Sequence, residues 1–424
     1  MPDTDPADPP TTPSTTPAGS TDAAALDAAD PLAAHRDLFV GSEQPLVYLD
    51  GNSLGRPLRV TGPRLAAFVD DQWGGRLIRG WDEQWMELPT LLGDRIGATC
   101  LGAAPGQTVV GDSTTVLLYK AMRAAVAARP GRHEIVMDTD NFPTDRYLAA
   151  GVAEELGLRV RWVDVDPAAG VTADQLAGVL GPDTALVALS HVAYRSSWVA
   201  DGPALTALAH DAGALVLWDL SHSVGSVPLA LDAWGADLAV GCTYKYLNGG
   251  PGSPAFAYVA ARHLEGPDAL TQPVRGWIGH AEPFRMGPDW APAAGIRRML
   301  SGTPPVVGML ALADMLDLLE AVGMPAVRAK SLALTRMVVD LADDELAEHG
   351  VEVVSPRAAE RRGGHVTLRH PAMQEVTRRL WARDVVPDYR DPGGLRLGLS
   401  PLSTSFAEVR AGMDAIAEEL APPR

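Results

Sequence analysis

Two short runs hold the most specific chemistry in the sequence. TrpAspLeuSerHis at 218–222 closes one apolar run, and CysThrTyrLysTyrLeuAsn at 242–248 follows the next. Asp219 and Lys245 therefore fall at the carboxyl ends of neighbouring buried strands, where open α/β sheets bind their ligands. A lysine there can hold a carbonyl cofactor as a Schiff base. An aspartate beside it can keep a pyridine nitrogen protonated, so that the ring accepts electrons. Pyridoxal phosphate is the cofactor that needs both. Taken singly, Asp219 reads equally as a turn former and Lys245 as a surface charge.

Groups at other strand ends strengthen the paired reading. Thr114 and Thr115 follow the first strand at a helix start, where free backbone N–H groups and hydroxyls can hold a phosphate. AsnPheProThrAspArg at 141–146 follows the second, offering Phe142 as an aromatic face and Asp145 as another carboxylate. Thr114 as a helix cap and Pro143 as a turn are compatible alternatives. Ser190 and His191 close a further strand, with Tyr194 and Arg195 just beyond. His222 either faces the same cleft or is structural. GlyGlyProGlySerPro at 249–254 lacks the lysine of a phosphate-binding P-loop. Asp219, Ser221 and His222 do not make a hydrolase triad, because no GxSxG elbow is present and near-adjacent residues rarely reach that geometry.

These residues need a scaffold of βα units. Strands are predicted at Thr108–Val110, Glu134–Met137, Arg159–Val163, Ala185–Leu189, Ala214–Trp218, Leu238–Gly241 and Ala255–Val259. Helices fall between them at Thr114–Ala128, Thr144–Leu156, Thr172–Val179 and Gly202–Ala212. That alternation predicts an α/β fold with one large, mainly parallel seven-stranded sheet. After Ser301–Pro305 the pattern changes to helices Val306–Ala321 and Ala326–Glu348, then strands near Val351–Val354, His365–Arg369 and Leu395–Leu399. We read a smaller α+β domain over 306–424, a large domain over 66–305, and a segment 31–65 packing on both. Residues 1–30, rich in Pro, Thr, Ala and Asp, read as a disordered tail.

Composition sets outer limits. A net charge of −18 disfavours nucleic acid and anionic membrane surfaces as partners. Cys100 and Cys242, the two cysteines, are too few for a disulfide framework or structural zinc, so no metal is expected and a reducing cytoplasm fits. No apolar run is long enough to span a bilayer, and the first 30 residues lack the pattern of a signal peptide.

With these residues assembled, the chain resembles the kynureninase family of fold type I pyridoxal-phosphate enzymes from about Val47 to Arg410. The resemblance rests on TyrLeuAspGlyAsnSerLeuGly (48–55), LeuIleArgGlyTrp (77–81), AsnPheProThrAsp (141–145), TrpAspLeuSerHisSerValGly (218–225), ThrTyrLysTyrLeuAsnGlyGlyProGly (243–252), GlyTrpIleGlyHis (276–280) and SerGlyThrProPro (301–305). It implies that Lys245 binds the cofactor, Asp219 pairs with the ring nitrogen and Phe142 stacks with Asp145 nearby. Thr114, Thr115, Ser190, His222 and Tyr244 would line the cofactor, and Tyr244 would donate a proton. It further implies a homodimer with sites at the interface, Trp277 and Thr303 reaching the phosphate from the partner subunit. Arg396, in LeuArgLeuGly, matches the arginine that clamps the substrate carboxylate, a task a guanidinium fork suits; from the residues alone, a surface salt bridge is as good a reading. Ser53, Trp81, Gly302 and Thr303 complete the implied substrate contacts. The implied reaction is hydrolysis of L-kynurenine to anthranilate and L-alanine.

Several positions depart from the family pattern. Ala193 and Ser197 replace the usual Asn and Gly, Ser403 a Tyr, Leu117 an Asn and Trp290 a Tyr. They bear on the substrate before the chemistry, so a ring-substituted kynurenine is a variant of the same expectation. The competing readings are an aminotransferase or desulfurase of the same fold, or a silent binding protein that kept it.

Overall fold

The computed structural model describes residues 22–266 and 268–421. A seven-stranded sheet forms its centre: β1 (Thr108–Val110), β2 (Glu134–Asp138), β3 (Arg159–Val163), β4 (Thr184–Ser190), β5 (Leu215–Asp219), β6 (Leu238–Gly241) and β7 (Phe256–Val259). The order across the sheet is β1-β7-β6-β5-β4-β2-β3. Strand β7 runs antiparallel to both its neighbours, and the other pairs are parallel. Each predicted strand of this sheet is present, displaced by at most one residue at either end.

Apart from the edge strand β3, whose Arg159, Arg161 and Trp162 are exposed, both faces of the sheet are buried, which is why its strands read as continuous apolar runs. Along β5, Leu215 and Leu217 enter one apolar cluster while Val216 and Trp218 enter another on the opposite face. Helices cover both sides, and their starts follow local rules. Ser113 caps Thr114–Ala127 by accepting the Val116 N–H. Pro143 occupies the first turn of Pro143–Leu156, and Gly157 ends it in the left-handed region at φ +66°.

A second sheet is fully antiparallel. It comprises β8 (Glu352–Val353), β9 (His365–Arg369), β10 (Asp388–Arg390) and β11 (Gly394–Gly398), in the order β10-β11-β9-β8. The apolar faces of helices Met324–Leu341, Met373–Trp381 and Phe406–Leu420 pack on it around Leu334, Val376 and Val409. The last two helices and β10 were not among the sequence expectations. The helix expected over Ala326–Glu348 runs as regular helix only over Met324–Leu341 and then turns irregularly through His349.

The segment 47–56 lies between the two sheets. Val47–Tyr48 pairs with Val385–Val386, Asp50 bridges to Gly398, the Gly55 N–H donates to Tyr244 O at 2.9 Å, and Asn248 Nδ2 donates to Arg56 O at 2.8 Å. A Cβ on Gly55 would lie 2.5 Å from Lys245 O, so the close approach to the lysine loop requires glycine there.

The expectation of a disordered tail to residue 30 is corrected for its last part. Ala23–Ala29 is helical, with Asp22 as its cap and Leu26 buried. The Asp27 carboxylate accepts the N–H groups of Phe406 and Ala407 at 2.8 and 2.9 Å, and Asp30 pairs with Lys330 at 2.6 Å. Composition missed this because carboxylates that cap and pair, rather than apolar residues, hold the segment. Residues 1–21 of that expectation lie outside the described residues.

At the amino edge of the large sheet, Asp237 is a buried knot. It receives His210 Nε2 and His263 Nε2 at 2.7 Å each, Arg262 Nη2 at 2.6 Å and the Val216 N–H at 2.8 Å. Burial works to raise its pKa, but the hydrogen bonds from His210, His263 and the Val216 N–H outweigh it and hold the carboxyl below its ordinary range. A depressed folded-state pKa contributes stability above the ordinary carboxylate value and loses it as pH falls. Asp237→Asn is expected to cost about 3 kcal/mol in denaturant unfolding at pH 7. The gap should narrow below about pH 4.

Candidate active site

The parallel strands β2, β4, β5 and β6 deliver their carboxyl ends to one edge. In register, Asp219 at the end of β5 lies between Ser190 on β4 and Val240 on β6. The chain leaving β6 turns back through Lys245, whose side chain is buried. Lys245 Nζ lies 2.9 Å from His222 Nε2, 5.8 Å from the Phe142 ring centre and 6.0 Å from the Tyr244 ring centre. Phe142 in turn meets Tyr194 edge-on at 5.4 Å.

Asp219 is fixed by its own loop. Its Oδ1 accepts the Ser221 N–H at 2.9 Å and the Ser221 hydroxyl at 2.6 Å, while Oδ2 accepts no hydrogen bond among the described residues. Ser190 Oγ donates to Asn141 Oδ1 at 2.9 Å, and Asn141 Nδ2 donates to Asp138 at 3.0 Å. This positions the turn that carries Phe142 and Asp145. Sequence reasoning missed Ser221 and Asn141 as supports, although both stand inside motifs it quoted.

Burial sets the charge state. Asp145 is held well above the usual carboxylate range, first by burial and then by the negative charge of Asp219. Burial and the Lys245 charge push His222 well below the usual histidine value, so its ring is neutral. Burial, helped by Cys242 and Asp219, raises the Tyr244 hydroxyl, so it keeps its proton at neutral pH.

Arg396 on β11 is buried, which corrects the surface salt bridge weighed for it. Its Nε donates to Asp388 Oδ2 at 2.9 Å, Nη1 to Tyr194 O at 2.7 Å and Nη2 to Ser53 Oγ at 3.2 Å; Nη2 also contacts Asp388 Oδ2. The fork is nearly filled, so a substrate carboxylate binding there has to displace one of these partners. Asp50, Asp388 and Arg390 share this region. Burial and the Asp388 charge push Asp50 up to about 6. Asp388 carried no signal of its own in the sequence, because its strand was not recognised.

The structure does not join every expected residue to this centre. Trp81 meets Trp277 edge-on at 6.0 Å, and Trp277 meets Phe284 at 5.8 Å. Among the described residues, no hydrogen bond or ring contact links Trp81, Trp277 or Thr303 to Lys245 or Asp219, and Gly302 and Thr303 are exposed. Of the departures from the family pattern, Leu117 is core. Trp290 Nε1 donates to Gly276 O at 3.1 Å. Ser403 is buried beside Ser400. Ala193 borders a small cavity lined by Asp138, Asp140, Asn141, Ser190 and Trp198. Ser197 stands at φ +66°, the left-handed region that favours glycine.

The donor set suits pyridoxal phosphate. Lys245 supplies the amine, Asp219 Oδ2 an unused acceptor, Phe142 a partly exposed ring, and Thr114 and Thr115 hydroxyls that have no hydrogen-bond partner among the described residues, at the start of a 14-residue helix. Fold and site together define a fold type I pyridoxal-phosphate enzyme. Solved structures agree on the fold. A C-DES mutant with glycine covalently linked to its PLP cofactor superposes with a TM-score of 0.79 at 18% identity, covering 90% of this chain and 99% of that one. An apo cysteine desulfurase from Thermococcus onnurineus gives 0.76 at 17% identity, covering 91% and 97%.

Sequence relatives narrow the class. Residues 327–416 match the kynureninase C-terminal domain family. The kynureninase of Pseudomonas fluorescens is 42% identical over 407 residues, covering 94% of this chain and 95% of that one. The kynureninase of Burkholderia pseudomallei (strain 1106a) is 42% identical over 406 residues, with the same coverage. The chain belongs to the kynureninase family and is a pyridoxal-phosphate-dependent hydrolase of that type. Cys100 and Cys242 are both buried and free, and burial pushes the Cys100 thiol up to about 12. Neither is the exposed, activated thiol that a desulfurase needs.

Asp219→Asn removes the carboxylate charge while keeping an acceptor for the Ser221 N–H and hydroxyl, and so tests whether Asp219 serves the cofactor. Cofactor affinity, read by absorbance on reconstitution, is expected to fall on the order of 10²-fold, about 3 kcal/mol. Thermal stability without cofactor should stay close to that of the parent.

Proposed function

We propose that the chain hydrolyses L-kynurenine, or a ring-substituted kynurenine, to the matching anthranilate and L-alanine by breaking the Cβ–Cγ bond. The observation that carries this reading is the buried Lys245 amine, set against His222 and over Phe142, in a chain of this family. Bound pyridoxal phosphate supplies the electron sink that makes bonds next to the amino-acid α-carbon breakable.

The remaining work falls to the chain's own side chains. With the cofactor bound, Lys245 would be the base that takes the substrate α-proton, and neutral His222 would hold its nitrogen in place. Asp219 keeps the ring nitrogen protonated. Tyr244, still protonated at neutral pH, delivers a proton to Cβ. Arg396 receives the substrate carboxylate in exchange for one of its present partners, and Asp388 keeps the guanidinium plane fixed meanwhile. Thr114 and Thr115 hold the phosphate at their helix start.

A second copy of the chain completes the site in this reading. Ile78, Leu77, Trp73, Phe284, Met286 and Val307 are large apolar side chains left exposed. Ring contacts from Trp81 through Trp277 to Phe284, and the packing of Phe68, Trp85 and Val306, join their segments into one surface. An exposed apolar surface of this extent fits a subunit interface. Trp277 and Thr303, unconnected to Lys245 within one chain, then reach the partner's phosphate. Trp81, Gly302 and Thr303 border the substrate ring and favour unsubstituted kynurenine over its 3-hydroxy form. The free, buried cysteines fit a cytoplasmic location. Among the described residues no helix is long and apolar enough to cross a membrane.

A panel of kynurenine, 3-hydroxykynurenine and ring-methylated or halogenated kynurenines tests the substrate. Equimolar alanine and a fluorescent anthranilate without added keto acid are expected, with the highest kcat/KM for kynurenine or one ring-substituted analogue. A need for a keto-acid acceptor would instead mark an aminotransferase. Ile78→Asp should give monomers on sedimentation and at least about 10-fold weaker cofactor retention, because an unpaired charge cannot be buried at the interface.

A further inference from the structure

Behind Lys245 lies a cluster of buried polar atoms that the reaction as described does not use. Among the described residues, His222 Nδ1 and both ring nitrogens of His365 are buried without a hydrogen-bond partner, as are Tyr246 Oη and Ser226 Oγ. His365 is fully buried at the start of β9, and its ring centre lies 5.6 Å from that of His222. The next residue on the same face of β9, Thr367, is the register partner of Arg396 on β11. Gly364 brings this strand against the lysine loop. A Cβ there would lie 2.7 Å from Tyr246 Oη and 2.2 Å from Ser226 Oγ.

The tautomer of His222 follows from its contacts. A lysine amine donating to Nε2 at 2.9 Å requires the lone pair on Nε2, so the proton of the neutral ring is on Nδ1. That buried N–H needs an acceptor. The charged and titratable groups acting on His222 are Lys245, Arg396, His365 and Arg390. Lysine and arginine only donate, and His365 is the member that can accept. The nearby carbonyls of Tyr194 and Arg195, short of hydrogen-bond geometry, favour a ring N–H on His365, which leaves its other nitrogen as an acceptor.

We infer that His365 is a positioning residue of the site: its ring accepts the Nδ1–H of His222 through one buried water, and locks His222 in the tautomer whose Nε2 lone pair is presented to Lys245. The second sheet thereby contributes to the lysine's environment as well as carrying Arg396. The inference rests on Lys245 being the cofactor lysine.

The test uses the holoenzyme and the variants His365→Leu, which cannot accept a hydrogen bond, and His365→Gln, which can. The readout is the pH titration of the lysine-bound cofactor's visible absorption band. An acceptor beside the lysine nitrogen favours its protonated form, so losing the tautomer lock should lower the midpoint by about half a unit or more in the Leu variant. The Gln variant should restore it, and kcat should follow with a fall of about 10-fold for Leu against a KM within about threefold. Should the Leu variant not fold, histidine side-chain ¹⁵N NMR of the parent holoenzyme reads the tautomer directly, with Nδ1–H expected on His222. An unchanged midpoint in the Leu variant, failure of Gln to restore it, or an Nε2–H tautomer would overturn the inference. Absence of any lysine-bound band in the parent would overturn the reading of Lys245 itself.

Discussion

Ionisable groups at the carboxyl edge of the large sheet have to coexist almost without water, and the arrangement of the site follows from that. Lys245, Asp219, Asp145 and His222 are each 9% exposed or less. An uncompensated buried charge costs several kcal/mol, so the groups cannot all be ionised together. Burial and the neighbouring Asp219 charge lift the Asp145 carboxyl, and burial with Lys245 keeps His222 neutral. Lys245 and Asp219 remain, each hydrogen-bonded to a different neighbour, His222 and Ser221.

Keeping that balance requires the edge to be rigid, and two devices supply it. At the amino edge, Asp237 ties β5, β6 and the turn after β7 together through two histidines and an arginine. At the carboxyl edge, the segment 47–56 threads between the lysine loop and β11. It fits because Gly55 and Gly398 leave room: a Cβ on Gly398 would lie 1.7 Å from Asn52 Oδ1. The same segment sets Ser53 beside Arg396, so the lysine and the arginine are positioned by one stretch of chain.

The large sheet was legible because both its faces are apolar and its strands therefore stand out as short runs bounded by turn residues. Asp219 and Lys245 were legible because those runs end on them. What escaped lies in the second layer. His365 alternates with Val366 along β9, a period-two pattern that marks a half-buried strand without telling whether the polar face meets solvent or another buried layer. Here it meets the site. Asp388 sits on a three-residue strand, too short to show any period. The Ala23–Ala29 helix is capped locally by Asp22 and held by Asp27 and Asp30, whose partners lie far along the chain, and composition cannot register such contacts. Trp81, Trp277 and Thr303 form a third kind of case, since resemblance alone connects Trp81 to the substrate and Trp277 and Thr303 to the cofactor, and a single chain does not.

Departures from the family pattern test which parts of the site are constrained by chemistry and which by packing. Ser197 occupies a left-handed position at φ +66°, which costs a non-glycine residue about 1 kcal/mol. Its hydroxyl accepts the His365 N–H at 3.4 Å and its carbonyl accepts the Gly363 N–H at 2.8 Å, so the strain is spent on holding the start of β9. Ala193 leaves a gap under the Asn141 turn, and Ser403 is packed among serines at the end of β11; neither touches Lys245 or Asp219. The substitutions thus lie where the second layer meets the first, at the supports of the pocket. Changes there alter how closely the second layer packs against the site and leave the lysine, its carboxylate and the arginine in place. A family member can on these grounds keep its bond-breaking chemistry while the aromatic ring it accepts drifts.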